Sequence, residues 1–148
     1  MERPDLDAKH LVQTILETTG EALMEGCFAT FSACFTLPQI IETFEKKRVV
    51  TSYTEWKGIF DDVRSYHRQL GVTQLVRTCL EVKVLSDEEI RCTHETRLMN
   101  GNQLLSRPFP VLSNMRRLDD GWKVTGSSYA IPDSLGYTRA LTGAPDKE

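Results

Sequence analysis

Glu89-Ile90-Arg91-Cys92-Thr93-His94-Glu95-Thr96-Arg97-Leu98 alternates residue by residue. Ile90, Cys92, His94, Thr96 and Leu98 fall on one side, and Arg91, Thr93, Glu95 and Arg97 on the other. A repeat of two is that of a β-strand. One mostly apolar side and one wholly polar side is the pattern of a sheet with a single face on a core. His94 then stands in the middle of the face predicted to be buried, and an ionisable group there is the sharpest chemical feature of the chain.

The strands to either side follow the same logic. Gln74 to Leu85 places Val76, Thr78, Leu80, Val82 and Val84 on one side and Arg77, Cys79, Glu81 and Lys83 on the other, which predicts the first set inward. Ser86-Asp87-Glu88 turns from that strand into the central one. Asn100-Gly101 reads as the centre of a hairpin turn, where both residues tolerate positive φ. Gln103 to Leu118 is a long strand interrupted by Pro108 and Pro110, which predicts a bulge or an edge there. Asp119-Asp120-Gly121 turns into a last strand, Trp122 to Tyr129, ended by Pro132.

Upstream the repeat becomes helical. Ser52-Tyr53-Thr54-Glu55 is a capping box, in which the Ser hydroxyl accepts from the Glu55 amide and the Glu carboxylate reaches back to the Ser amide. The helix behind it carries Trp56, Ile59, Phe60, Val63, His67 and Leu70 on one stripe, and Gly71 is its expected left-handed stop. Leu37 to Thr43 and Lys47 to Thr51 form a short hairpin around Phe44-Glu45-Lys46 at a sheet edge, and Pro38 fits at an edge or a strand start. A first helix, capped by Asp7 and broken at Gly26, carries Leu11, Ile15, Leu16, Thr19, Ala22 and Leu23. A short second helix brings Phe28, Phe31 and Phe35 to the core beside Cys27 and Cys34. Helices followed by a run of antiparallel strands mean α+β, with the N-terminal helices packed on the concave face of a strongly curved, mainly antiparallel sheet. The 148 residues form a single domain, with its core at about 7–131 and a C-terminal tail at about 132–148, disordered from about Pro145.

The net charge of −3 and the interspersed signs argue against a nucleic-acid partner. No apolar run reaches membrane-spanning length, and Met1 to Asp7 has no secretory h-region, so the expectation is a cytoplasmic protein without membrane contact. Cys27, Cys34, Cys79 and Cys92 show no paired spacing and read as reduced core residues. No closely spaced ligand set points to a metal, and no Gly-rich phosphate loop or Gly-x-Ser-x-Gly elbow is present, so no cofactor is expected.

Phe31-Ser-Ala-Cys-Phe35 before the first strand, Thr51-Ser52 opening the third helix, and Asp120-Gly121-Trp122-Lys123-Val124 entering the last strand, in this order of elements, resemble the nuclear-transport-factor-two-like, or SnoaL-like, cone fold. The resemblance covers roughly Asp7 to Ile131. It implies a cone whose mouth lies between the helices and the concave sheet face, an apolar ligand pocket there, and a homodimer formed through the sheet. That superfamily holds isomerases, cyclases and dehydratases as well as non-enzymes, so the fold does not choose a function. The isomerases place an Asp base after the first long strand, where this chain has Thr43. The cyclases use an Asp on a late strand, where this chain offers Ser113, Asn114, Ser127 and Ser128.

Candidate residues follow from the inward faces. His94 and His67 are the candidate acid–base pair, with Tyr129 or Tyr66 as a donor. Trp56, Phe60, Val63, Cys92, Thr96, Trp122 and Tyr129 are the expected pocket lining. Glu42 between Ile41 and Thr43 reads as solvated. Arg91, Thr93, Glu95 and Arg97 form the outer face, with ion pairs expected across to Glu81 or Arg116. The leading reading is a small-molecule-binding protein with an apolar organic ligand between helices and sheet. A cofactor-free isomerase, dehydratase or cyclase using a pocket histidine is the second, and a structural or protein-interaction module the third.

Overall fold

The first helix of the chain, α1 (Pro4–Glu25), opens before Asp7, so Asp7 is a helical residue and not the cap. Proline suits the first helical position because its fixed φ and missing N–H cost nothing there. The computed structural model describes residues 4–44, 46–130, 140 and 141, with side chains from Asp7 onward. α1 ends at Gly26, whose φ of +83° suits glycine, and a Cβ there would sit 2.8 Å from the Arg64 guanidinium carbon. Arg64 is instead free to donate from Nε to the Leu23 carbonyl at 2.8 Å, tying the end of α1 to a later helix.

The short α2 (Phe28–Ser32) buries Phe31, while Phe28 and Phe35 pack half-buried against the core. Cys27 is exposed and Cys34 half-buried, so two of the four cysteines expected in the core lie outside it. β1 (Phe35–Glu42) and β2 (Lys47–Val50) form the hairpin. The hairpin lies at a sheet edge as expected, with β2 outermost and β1 inside it, since β1 also pairs in parallel with the last strand. Pro38 is accommodated because it falls where that pairing shifts register, between Phe35 and Ile40. The buried Gln39 side chain bridges the gap by donating to the carbonyls of Thr36 (3.0 Å) and Val124 (2.8 Å).

α3 (Tyr53–Leu70) buries Trp56, Ile59, Phe60, Val63 and His67, and stops at Gly71 with φ +86°. Ser52 Oγ accepts from the Glu55 amide at 3.1 Å as expected, but the Glu55 carboxylate returns one residue further, to the Thr51 amide at 3.3 Å, and also accepts from Arg48.

The meander comprises β3 (Gln74–Val84), β4 (Glu89–Asn100), β5 (Gln103–Leu104), β6 (Phe109–Leu118) and β7 (Gly121–Tyr129). With the hairpin they make one sheet in the order β2-β1-β7-β6-β4-β3, with β5 pairing β4. Asn100 pairs with Gln103, so the tight turn centres on Gly101-Asn102 and only Gly101 takes positive φ. Glycine at the first central position is one of the two favoured hairpin solutions. On the outer face Glu95 pairs along its own strand with Arg97 at 2.7 Å, and Arg91 reaches Asn114 at 3.2 Å, in place of the expected cross-strand ion pairs.

Two further irregularities lie in the meander, and bulges bend and twist a sheet locally. The β3–β4 register shifts between Cys79 and Glu81, and the β6–β7 register between Asn114 and Met115, leaving Leu80 and Thr125 as extra residues. A bulge exchanges the faces of everything beyond it. On β3 the inward residues are therefore Arg77 and Cys79 before the bulge and Val82 after it, opposite Thr96, His94 and Cys92. Arg77 and Cys79, expected outside, face in, whereas Leu80 is 51% exposed.

β3 is a sheet edge, and α1 protects it. Gln13 donates from Nε2 to the Arg77 carbonyl at 2.9 Å and accepts from the Cys79 amide at 2.8 Å, acting as a one-residue strand partner. Gln13→Ala strands both backbone groups and is expected to cost about 1–3 kcal/mol, read as a lower denaturant midpoint at unchanged slope. A loss within error would mean that the bridge carries no stability.

The core has two parts. Ala8, Val12 and Leu16 of α1 pack with Cys79, Ile90, Cys92, Met115 and Val124. Ala22, Leu23, Phe31 and the α3 stripe pack with Ile41, Val50, Leu98, Phe109 and Val111. Ala140 and Leu141, placed by the sequence in the tail, join this second part.

Candidate functional site: the cavity at the seam of the core

Between the two apolar parts lies a band of polar side chains, and the cavity is there. It measures about 60 Å³ and is walled by Trp56, Phe60 and Val63 of α3, by Leu16 and Thr19 of α1, and by Cys92, His94 and Thr96 of β4, among others. Arg77 of β3, Ser113 of β6, and Ser127 and Tyr129 of β7 complete the polar side. Room of this size corresponds to about two to five water molecules, well below the roughly 300 Å³ of an ordinary ligand pocket.

The structure thus gathers His94, Trp56, Phe60, Val63, Cys92, Thr96 and Tyr129 around one space. His67 is buried one turn and more beyond Val63 and is not part of that wall, and Trp122 packs against the α1-side core. Thr43 lies at the end of β1, where its amide closes the hairpin turn onto the Lys46 carbonyl. No Asp or Glu of the described residues lines the cavity. No cluster of His, Cys, Asp and Glu suited to a metal occurs among them either.

His94 is 2% exposed, and its Nδ1 has no hydrogen-bond partner among the described residues. The same holds for the indole Nε1 of Trp56, which is 4% exposed. Both residues line the cavity, Trp56 from a helix and His94 from a strand. Such atoms cost about 1–3 kcal/mol each when left without a partner. Ser113 and Ser127, by contrast, satisfy each other at 2.9 Å.

Burial, with the Arg77 cation adding to it, pushes His94 down to about 2. Burial likewise lowers His67 to about 4, with Arg77 and Arg64 contributing. Burial raises the Cys92 thiol to about 12 and moves the Tyr129 phenol upward. These groups stay neutral near pH 7. They are suited to orient a bound molecule and poorly suited to take up a proton, because a base whose conjugate acid lies near 2 is almost inert at neutral pH. This argues against His94 as a general base.

Arg77 is the residue the sequence reading assigned to the wrong face. Its Nη1 donates to Thr19 Oγ1 and, at 3.3 Å, to the Leu16 carbonyl. The signal that would have found it is the Leu80 bulge, which nothing in the alternation of β3 betrays.

No family model matches the chain, and no curated protein matches it by sequence. Solved structures do match by shape. A domain of unknown function with a cystatin-like fold from Nostoc punctiforme aligns with a TM-score of 0.66 at 17% identity, over 95% of this chain and 85% of that one. A protein of the NTF2-like family from Streptomyces avermitilis, named provisionally as a dehydratase, aligns at 0.63 and 15% identity, over 88% and 99%. A ketosteroid isomerase-like protein from Erwinia carotovora atroseptica aligns at 0.56 and 14%, over 84% and 97%. Likeness at such identities establishes architecture alone: the chain has the cone fold of the NTF2-like, cystatin-like proteins.

Proposed function

We propose that the chain binds a small uncharged organic molecule in the cavity, with its apolar part against Phe60 and Val63 and a carbonyl or similar acceptor on the Trp56 indole N–H. The observation that carries this reading is the pair of unmatched buried atoms, Trp56 Nε1 and His94 Nδ1, on two elements of one wall. A neutral imidazole presents either an N–H or a lone pair at Nδ1, so it can serve an acceptor or a donor on the ligand by choice of tautomer. The size of the cavity limits a ligand held without rearrangement to about two to five heavy atoms, by the same allowance of space per water molecule. Members of the fold named as dehydratases or isomerase-like proteins act on organic molecules by their names, which is compatible with such a ligand but does not select it.

The test is an NMR titration with short ketones and primary amides, following the Trp56 indole N–H and the His94 ring. Saturable shifts at both are expected. His94→Leu removes a buried polar atom that has no protein partner. It is therefore expected to leave stability unchanged or higher, while weakening binding by about tenfold or more. A variant that loses stability and leaves the titration unchanged would make His94 a packing residue. If no compound of this class moves the Trp56 indole, the reading falls.

A further inference from the structure

The outer face of β4 carries Glu89, Arg91, Thr93, Glu95 and Arg97 in that order. Thr93 is at their centre, and the charges on its two sides are opposite at equal distance. Arg91 and Glu95 stand two residues from it, Glu89 and Arg97 four. Such an order is complementary to its own reverse. A copy laid on it antiparallel, Thr93 over Thr93, brings each arginine to a glutamate and no charge of β4 to its like. The neighbouring strand supplies an apolar residue at the same level. Leu112 pairs with Thr93 in the ladder and is 42% exposed. Ser128 of β7 continues the row. A groove of about 310 Å³ lies here, lined by Phe44, Thr93, Pro110, Leu112 and Ser128 among others, and Phe44 is 71% exposed. An uncharged centre between charged flanks is the layout of a protein interface.

We propose that two copies of the chain pack outer face to outer face across a two-fold axis that runs along this row, from Thr93 through Leu112. In a closed two-fold contact a residue on the axis meets itself, and residues at equal distance on either side meet each other. Arg91 then meets Glu95 of the second copy, Glu89 meets Arg97, and each pair occurs twice. The bonds within one chain leave donors and acceptors for this. Arg91 uses Nε for Asn114, so its two Nη groups remain. Glu95 accepts from Arg97 on Oε1, so its other oxygen remains for a second arginine. Glu42 and Glu81, at the two ends of the row, have Lys47 across the hairpin and Lys83 two residues on as counter-charges. Four strands about 4.8 Å apart, over the length from Glu89 to Arg97 at about 3.4 Å per residue, give a patch of about 19 by 27 Å. Two such patches bury on the order of 1,000 Å², the least a specific contact needs. The charge order selects a second copy as the occupant, because a partner of one sign would repel half of these charges. The contact lies on the opposite side of the sheet from the cavity and does not depend on a ligand there.

Sedimentation velocity of the full chain from about 1 to 100 μM spans the affinity of a contact of this modest size. A dimer is expected, weakened by salt because its ion pairs are partly exposed. Leu112→Arg puts two like charges on the axis and is expected to raise the dissociation constant about a hundredfold or more. The sharper test exchanges charges. One variant carries Arg91→Glu with Arg97→Glu, so that the outer side of β4 is acidic throughout. Another carries Glu89→Arg with Glu95→Arg, so that it is basic throughout. Each alone is expected to be a monomer at concentrations where the natural chain is a dimer, and the two mixed one to one are expected to pair again. Recovery in the mixture also shows that both variants are folded. A natural chain that stays monomeric to about 100 μM overturns the proposal. So does a dimer that persists unchanged in both charge variants, since it would use another surface. Two variants that are folded by circular dichroism and fail to pair when mixed overturn the antiparallel axis.

Discussion

Lowering the pH from 7 to 5 is expected to remove about 4 kcal/mol of stability, roughly 2 kcal/mol for each of two buried histidines. The reason lies in the difference between folded and unfolded titration. Unfolded histidine takes its proton near pH 6.5. In the folded chain His94 is held down to about 2 and His67 to about 4, in both cases by burial first and by the Arg77 cation next. Both folded values are depressed, so the contribution to stability is complete above about pH 6.5 and is lost as the pH falls. At pH 5 the unfolded chain has bound both protons while the folded chain has bound almost none, and the free-energy gap closes by about 1.4 kcal/mol per histidine for each pH unit below 6.5. Below about 4, His67 has become protonated in the fold and only His94 continues to contribute. Denaturant titrations at pH 7, 6 and 5 read this directly, and His94→Leu should halve the slope. A midpoint that stays level from 7 to 5 would mean that both imidazoles charge freely within the fold, and that the cavity wall is wet enough to hold a cation beside Arg77.

This acid sensitivity follows from residues that the sequence made visible to different degrees. The inward place of His94 was legible because β4 alternates without interruption between its turns, and the five residues of its inner face are all buried. The α3 stripe was legible for a similar reason: Ser52 and Gly71 fix its ends, and a 3.6-residue period fixes its face. The inward place of Arg77 was not legible. β3 shows a more apolar side, and the alternation rule sends that side to the core. The Leu80 bulge sends it outward for the first half of the strand, and Val84, at the far end, is still 37% exposed. Edge strands bear such reversals easily, since only one side of the ladder must be kept.

The bulges at Leu80 and Thr125 leave no mark in composition, though each bends its strand and changes which residues face the core. Leu141 shows a different limit. It lies far along the chain from most of the core it joins, and no local period indicates that the chain returns there. His67 shares a stripe with Trp56 and Phe60, yet lies two turns further along α3 than Phe60, beyond the cavity. A face shared along a helix is therefore not a site shared in space. The polar band became interpretable only once the strand faces were known, because its members come from α1, β3, β4, β6 and β7 and no two are near neighbours in sequence except on the same strand.

Phe60→Ala is expected to cost about 3–5 kcal/mol and to turn the cavity into one that accepts a molecule the natural protein excludes. Phe60 is 2% exposed, lies edge-on to Phe28 at 5.3 Å, is tilted against Phe31 at 5.0 Å, and has the Arg64 guanidinium 5.9 Å from its ring centre. Removing the ring deletes those contacts and joins its volume to the existing 60 Å³. The combined space is on the order of 150 Å³, a size at which an apolar cavity takes up benzene or xenon. Rigid surroundings are required for this. Phe31 and Trp56 are stacked at 5.5 Å and Phe31 is tilted against Phe35 at 4.6 Å, so the neighbouring aromatic rings are already held by one another and cannot simply fill the gap. The large cost and the new binding are thus two readings of one quantity, the volume that fails to collapse. Thermal melts of Phe60→Ala with and without benzene separate the alternatives. A large loss partly restored by benzene means that the space persists and that Phe60 limits what the cavity can hold. A loss near 2 kcal/mol or less, with no effect of benzene, means that α2 and α3 close over the site, and that the helices and not this ring set the size of the space.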